Sequence, residues 1–228
     1  MRILITGAFC SVGCALIEEL SNDSLNVIVT DIAPTLRFPL HYRFTPMDVR
    51  SQDPDKIIGR ERPDVVIHLA ATQPPSNRKL AHQVNVVGTR NVLDACIAHG
   101  VKRLVVTSSN AAYGYHADNP QPLTETAPLR GNAAFSYADH KRQIENILEQ
   151  ARIDHPQLEQ VVLRVATVLG AGVENIITAL FYRPKILAVN GSDGPFSFIW
   201  TRDLTRVLVR AIATSPPRVF NVAADGVI

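Results

Sequence analysis

Short, continuous apolar runs recur along the chain, each closed by glycine or a small polar residue and followed by a stretch whose apolar positions fall three and four apart. Arg2 to Thr6 is the first run, Leu25 to Thr30 the second, Tyr42 to Met47 the third, Asp64 to Ala71 the fourth and Arg103 to Thr107 the fifth. Runs this short without polar alternation predict strands buried on both faces, as in a parallel sheet covered by helices. Between them, Cys14 to Leu20 places Ala15, Leu16 and Leu20 on one helical face. Asn77 to His99 does the same with Leu80, Val84, Val87, Leu93 and Cys96, and Gly100 stops it. Strand alternating with helix predicts a doubly wound α/β fold with a mostly parallel central sheet. The proline-rich pieces Thr72-Gln73-Pro74-Pro75 and Asn119-Pro120-Gln121-Pro122 read as loops inside a domain.

Three places in this framework carry chemistry. The first is Gly7-Ala8-Phe9-Cys10-Ser11-Val12-Gly13, which joins the first strand to the first helix. Strand, glycine turn and helix form a context in which a helix N-terminus holds a pyrophosphate through free N–H groups and the positive end of its dipole. An ordinary βα turn has the same outline. About 20 residues on, the second strand ends in Asp31, where a carboxylate accepts hydrogen bonds from an adenosine ribose and repels a 2′-phosphate. That favours NAD over NADP. The third place is Ser136-Tyr137-Ala138-Asp139-His140-Lys141, with a Tyr and a Lys four apart on one helical face. A free phenol titrates near pH ~10, and a cation beside it lowers that value at about 1.4 kcal/mol per unit, which suits proton transfer. A chance pair on a solvated face has the same spacing, so the surroundings decide. His68, alone inside an apolar strand, reads as a satisfied core residue rather than a ligand or base.

The length of 228 residues and a hydrophobic content of 46% fit one large α/β domain or one and a half smaller units. A net charge of +2 with no basic stripe gives no footprint for nucleic acid. No apolar run reaches the ~18 residues that span a bilayer, and Met1 opens into a strand-like run without a signal-peptide core, so a cytoplasmic protein with no membrane partner is expected. Cys10, Cys14 and Cys96 lack metal spacing and read as reduced thiols, and no metal site is expected.

Taken together, Thr6-Gly7 with Gly13, Asp31, Asp48-Val49, His68-Leu69-Ala70-Ala71, Asn85, Ser109 four before Tyr113-Gly114, Tyr137 with Lys141, and Leu163-Arg164 leading to Gly170 resemble the extended short-chain dehydrogenase/reductases. The nearest group is the NAD-dependent epimerase/dehydratase family, with its UDP-galactose 4-epimerase-like members, and the resemblance covers essentially the whole chain. It implies a Rossmann-type NAD-binding domain over 1–169 and a small, truncated substrate-binding part over 170–228, with strands and a helix returning to the main domain. It also implies that Tyr137 exchanges a proton with a substrate hydroxyl while hydride moves to or from the nicotinamide. Lys141 would lower the Tyr137 pKa and hold the nicotinamide ribose, and Ser109 would bond the reacting oxygen. The cofactor would lie on Gly7, Phe9, Cys10, Ser11, Val12, Gly13, Asp31, Asp48, Val49, Leu69, Ala70, Ala71, Asn85, Tyr137 and Lys141. Asp48 would meet the adenine edge, and Asn85 would support the Lys141 side. Plainer roles stay open, Ser109 as a strand-end cap and Asn85 as a helix polar residue. The helices near 77–99 and 135–152 would form a homodimer interface.

Departures from the family pattern matter as much. Cys10 stands where the middle glycine of the turn lets the backbone approach the pyrophosphate, so a crowded cofactor site is expected. A thiol beside a helix N-terminus also suggests a depressed pKa and oxidation. Val165 and Ala171 stand where the family commonly has Pro, and Trp200 and Arg202 replace its His and first Asp before Asp203. Asn110-Ala111 stand where dehydratases carry an acidic pair, which disfavours elimination of water. The chain also ends at Ile228, where relatives continue, so a truncated substrate part is expected. The expected activity is NAD-dependent hydride transfer at a secondary alcohol or ketone of a sugar or sugar-nucleotide-like small molecule, as an epimerase or a dehydrogenase. The alternative is a non-catalytic or impaired NAD(P)-binding regulator or scaffold of the same fold.

Overall fold

In a computed structural model of the chain, the described residues are 1–21, 25–34, 42–72, 77–173, 175, 177–181, 183–185, 196–214 and 216–226. Gln73, Pro74 and Pro75 of the first proline-rich loop lie outside them. The chain runs β1 (Arg2–Thr6), α1 (Ser11–Leu20), β2 (Asn26–Asp31), β3 (Arg43–Pro46), α2 (Asp53–Glu61) and β4 (Val65–His68). It continues through α3 (Arg78–His82), a π-helical turn (Gln83–Val87), α4 (Gly88–Ala98), β5 (Arg103–Ser109) and a 3-10 turn (Asn110–Tyr113). Then come α5 (Ser136–Asp154), β6 (Glu159–Val165), β7 (Thr167–Leu169), α6 (Thr178–Phe181), β8 (Phe198–Trp200), α7 (Thr201–Ala213) and β9 (Val219–Val222).

Seven strands form one parallel sheet in the order β3-β2-β1-β4-β5-β6-β9, and β7 pairs with β8 in a separate parallel ribbon. The apolar runs explain the layering. Ile3 and Ile5 face a cluster with Leu16, Ile17 and Leu20 of α1 and Leu204 and Leu208 of α7, while Leu4 faces one with Val92 and Leu93 of α4 and Ile144 and Leu148 of α5. Each such fully buried side chain contributes on the order of 1.5–3 kcal/mol relative to exposure. β9 lies beside β6 in the main sheet, so the segment after Gly170 returns to the first unit as well as forming the β7–β8 ribbon.

Helix α2 has no counterpart among the elements read from the sequence. Asp53 and Pro54 open this helix, with Ile57 and Ile58 inward and Gly59 inside it. Gly59 is needed for packing rather than for a turn, since a Cβ on it would lie 2.7 Å from the His99 ring.

The strand order reverses between β1 and β4, and ligands of such sheets bind outside the carboxyl ends of the strands at that reversal. Gly7, at φ +63°, sits at this point. A Cβ on it would meet the Ala70 Cα at 2.4 Å, so only glycine lets the turn after β1 touch the segment after β4.

Candidate active site

The carboxyl edge of the sheet gathers most of the residues singled out in the sequence. Asp31 ends β2, where its Oδ2 accepts the Phe9 N–H at 3.0 Å and its Oδ1 the Ile32 N–H at 2.7 Å. The acidic residue is thereby tied to the glycine turn. Phe9 stacks on Phe44 with ring centroids 5.3 Å apart. Ser11 Oγ donates to the Gly172 carbonyl at 3.1 Å and joins the turn to the segment after β7. Val12 is partly buried, and Gly13 packs so closely that a Cβ would stand 2.4 Å from the Ala8 oxygen. Leu69 is buried beside them, with Ala70 and Ala71 continuing outward.

Cys10 is the N-cap of α1, and its Sγ accepts the Gly13 N–H at 3.3 Å. The depressed thiol expected from the helix dipole is not found. Desolvation in the turn pushes the thiol up, against the pull of the Gly13 and Val12 N–H groups, and nearby Cys14 and Asp31 add to the rise. The residue is nonetheless solvent-exposed, and the direction of the shift makes it a poor thiolate.

Asp48 lies just past β3 and is half-exposed. Its carboxylate is held by Arg50 Nη2 at 2.6 Å and Nε at 2.8 Å, which keeps it below the usual carboxylate range. Val49 is buried next to Gly88, where a Cβ would approach Val49 Cγ2 at 2.6 Å.

Asn85 is buried at the centre of the π-helical turn, and its side chain faces the chain after β4. Its Oδ1 accepts the Thr72 N–H at 2.7 Å and its Nδ2 donates to the Thr72 carbonyl at 3.1 Å. A paired amide is what a backbone segment with no strand partner requires, and it fixes the exit from Leu69-Ala70-Ala71. His68 is a satisfied core residue. Thr89 Oγ1 donates to the Asn85 carbonyl at 2.6 Å, which leaves its oxygen to accept from His68 Nε2 at 2.9 Å, while Thr6 Oγ1 donates to Nδ1 at 2.7 Å. Burial holds this imidazole near a pKa of about 3, and Lys141 adds to the depression.

Ser109 ends β5 and caps the 3-10 turn, accepting the Ala111 N–H at 3.2 Å. The Tyr137 phenol stands on the first turn of α5, near Ser109. Lys141 Nζ lies 5.7 Å from the centre of the Tyr137 ring and donates to the Thr107 carbonyl at 2.9 Å. Lys141 therefore lies beside the Tyr137 ring on one face of α5. The electrostatics differ from the expectation. Burial pushes the phenol up to about 12, opposed by the neighbouring Ser109. Burial also brings Lys141 down to about 8, opposed by Glu145. The ammonium, directed at a carbonyl, does not depress the phenol in this state.

The Lys141 shift has a sign that stability measurements read. Between about pH 8 and the ordinary lysine value near 10.5 the unfolded chain holds a proton that the folded chain has released, so stability rises with pH across that window. Denaturant unfolding of Lys141→Met is expected to lack this rise. An equal slope in both proteins would contradict the burial of the ammonium.

Sequence reasoning missed the polar cluster behind this site. Glu145 follows Lys141 by one turn on the same buried face. Its carboxylate accepts Ser108 Oγ at 2.5 Å, Arg164 Nε at 2.8 Å and Arg164 Nη2 at 2.7 Å. Arg164 Nη1 reaches Tyr113 Oη at 2.7 Å and the Glu125 carbonyl at 2.9 Å. The available signal was the spacing 137, 141, 145, which puts an acid on the apolar side of an amphipathic helix.

Residues 3–223 match the NAD dependent epimerase/dehydratase family. The chain belongs to that family. A structure of Thermus thermophilus UDP-glucose 4-epimerase in complex with NAD superposes with a TM-score of 0.86 at 26% identity, over 100% of this chain and 79% of that one. Among sequences, an uncharacterized protein of Mycobacterium tuberculosis is 27% identical across 99% of this chain and 63% of its own length. The decarboxylating sterol-4-alpha-carboxylate 3-dehydrogenase of Candida albicans is 28% identical across 81% of this chain and 55% of its own length. The chain thus spans 63% or less of these curated relatives. Among the described residues, no helix is long and apolar enough to cross a membrane, and no group of His, Cys, Asp and Glu is placed to hold a metal ion.

Proposed function

We propose that this family member carries out NAD-dependent hydride transfer at a secondary alcohol or its ketone in a sugar or sugar-nucleotide-like substrate, as an epimerase or dehydrogenase. The observation that carries the reading is Tyr137 and Lys141 side by side on α5, with Ser109 ending β5 at the carboxyl edge of the sheet where Gly7 also touches Ala70. The cradle fits a dinucleotide. Gly7 and Gly13 have no room for a Cβ, α1 begins there, and the Asp31 carboxylate stands at the end of β2. Cofactor contacts are assigned to Gly7, Phe9, Cys10, Ser11, Val12, Gly13, Asp31, Asp48, Val49, Leu69, Ala70, Ala71, Asn85, Tyr137 and Lys141, with 1–169 as the NAD-binding unit and 170–228 as the reduced substrate part.

Bound NAD supplies the hydride acceptor or donor. Ser109 Oγ orients the reacting oxygen, and Tyr137 moves the proton at that oxygen. With its pKa near 12 the free phenol is protonated, which is the form that donates to a ketone oxygen. In the oxidative direction Lys141 must leave the Thr107 carbonyl and bring its charge to the phenol. A cytoplasmic homodimer is part of the reading. The exposed Leu80 on α3, and a hollow of about 510 Å³ lined by Arg78, His82, Asp139 and His140 between α3 and α5, support that face. Sedimentation of the purified chain at twice the monomer mass checks it.

A titration with NAD and NADH, followed by melting temperature, tests the cofactor reading. A ligand at a hundred times its dissociation constant stabilises by about 2.7 kcal/mol. Cys10→Gly is expected to tighten NAD binding, because it removes both the Cβ and the sulfur that takes the Gly13 N–H. Equal affinity would refute the crowding argument. The same thiol cap favours a second reading, a dinucleotide-binding regulator without turnover. That reading stands if NAD binds and no hydride moves with any alcohol offered.

A further inference from the structure

The ring-to-ring contacts around Tyr137 lead outward from the reacting hydroxyl. Phe135 lies 6.1 Å from Tyr137 between ring centres, and Tyr115 lies 5.9 Å from Phe135. Successive rings are turned by 45° and 49°, so they do not stack face to face, and Phe135 is partly exposed. Tyr115 is 65% exposed. Its N–H donates to Asn132 Oδ1 at 2.7 Å, and the Phe135 N–H donates to the Asn132 carbonyl at 3.0 Å, so one residue ties the backbones that carry both rings. Gly114, at φ +76°, lets the two segments close up, since a Cβ there would lie 2.4 Å from the Arg130 oxygen. The nearby cations are engaged. Arg130 pairs with Asp118 at 3.0 Å and Arg142 with Asp139 at 2.6 Å.

We propose that Tyr115 and Phe135 form a preorganised aromatic wall that holds one C–H face of a saturated six-membered ring whose secondary hydroxyl reaches Tyr137. The inference rests on the hydride-transfer reading and adds the shape and polarity of the group presented to it. Aromatic faces attract C–H groups of low polarity, and a backbone already pinned loses little freedom when the ring docks. With the neighbouring guanidinium groups already paired, this wall recognises the uncharged ring and not a phosphate. A pyranose and a fused alicyclic alcohol present the same C–H face.

The test is binding to the NAD-loaded full chain of two probes, methyl β-D-galactopyranoside and a ring-hydroxylated sterol dispersed with cyclodextrin. Saturation-transfer NMR gives the contact face, and titration gives the dissociation constant. Tyr115→Ala and Phe135→Ala are each expected to weaken the responding probe about three- to tenfold, while Tyr115→Phe keeps it, because the face and not the hydroxyl makes the contact. Response of the pyranoside alone identifies a sugar ring, and response of the sterol alone a fused carbocycle; either supports the wall. Unchanged affinity in Tyr115→Ala, or failure of both probes to bind the NAD-loaded wild type, overturns it. The NAD-induced rise in melting temperature is read on every variant. If NAD does not bind the wild type, the underlying function fails, whereas NAD binding with unaltered probe affinity refutes only the wall.

Discussion

Tyr137→Phe is expected to lower the rate of hydride transfer by about 10²–10⁴-fold, the range that one positioned acid or base supplies, while leaving NAD affinity nearly unchanged. The substitution removes the hydroxyl alone. The ring still packs against Phe135, and Lys141 keeps its bond to the Thr107 carbonyl, so neither the wall nor the ammonium is disturbed. The loss should therefore appear in kcat and not in the cofactor titration. Rapid-quench kinetics with NAD-loaded protein separates the two. A variant that turns over within tenfold of the parent would move the proton-transfer role away from Tyr137.

The second large effect is on stability. Glu145→Gln leaves the Arg164 guanidinium buried, at 6% side-chain exposure, without its counter-charge. Removing one member of a buried pair costs about 3–5 kcal/mol, and for a chain of this size that lowers the melting temperature by on the order of 10 °C. The double change Glu145→Met with Arg164→Met is expected to recover most of the loss, because neither charge is then desolvated alone. The pair also ties three parts of the candidate site together. Ser108 precedes Ser109, Glu145 follows Lys141 on α5, and Arg164 holds Tyr113 and the Glu125 carbonyl beneath the loop that carries Tyr115. Glu145→Gln should thus also lower the Lys141 pKa further, since Glu145 is the group that opposes its desolvation. Denaturant curves that differ by less than 1 kcal/mol would show that the pair is more hydrated than its 2.7 Å contact implies.

Strands were legible because burial on both faces leaves an unbroken apolar run, as in Ile3-Leu4-Ile5, and this pattern exposed most of the central sheet. The neighbouring positions of Tyr137 and Lys141 on α5 and the strand-end positions of Ser109 and Asp31 were legible for the same reason: strand ends and helix faces are local properties. What depends on long-range geometry was not legible. The pairing of Asn85 with Thr72 joins residues 13 apart in the chain, and the direction of the Lys141 ammonium follows from where the Thr107 carbonyl emerges in β5. Cys10 was misjudged on its pKa because the dipole of α1 is visible in sequence, whereas desolvation within the turn is not. Helix α2 was overlooked because its glycine reads as a breaker until the His99 ring is seen to occupy the space of the missing side chain.

The most direct test of the account follows the hydride itself. NAD-loaded protein is mixed with a sugar alcohol, a uronate, UDP-galactose or a ring-hydroxylated sterol, each deuterated at the carbon that bears the secondary hydroxyl, and the nicotinamide is examined by mass spectrometry after a single turnover. Deuterium in the nicotinamide of the wild type, lost in Tyr137→Phe, is the predicted result. A chain that binds NAD firmly and shows no deuterium transfer from any of these alcohols would contradict hydride transfer and leave dinucleotide binding without turnover as its function.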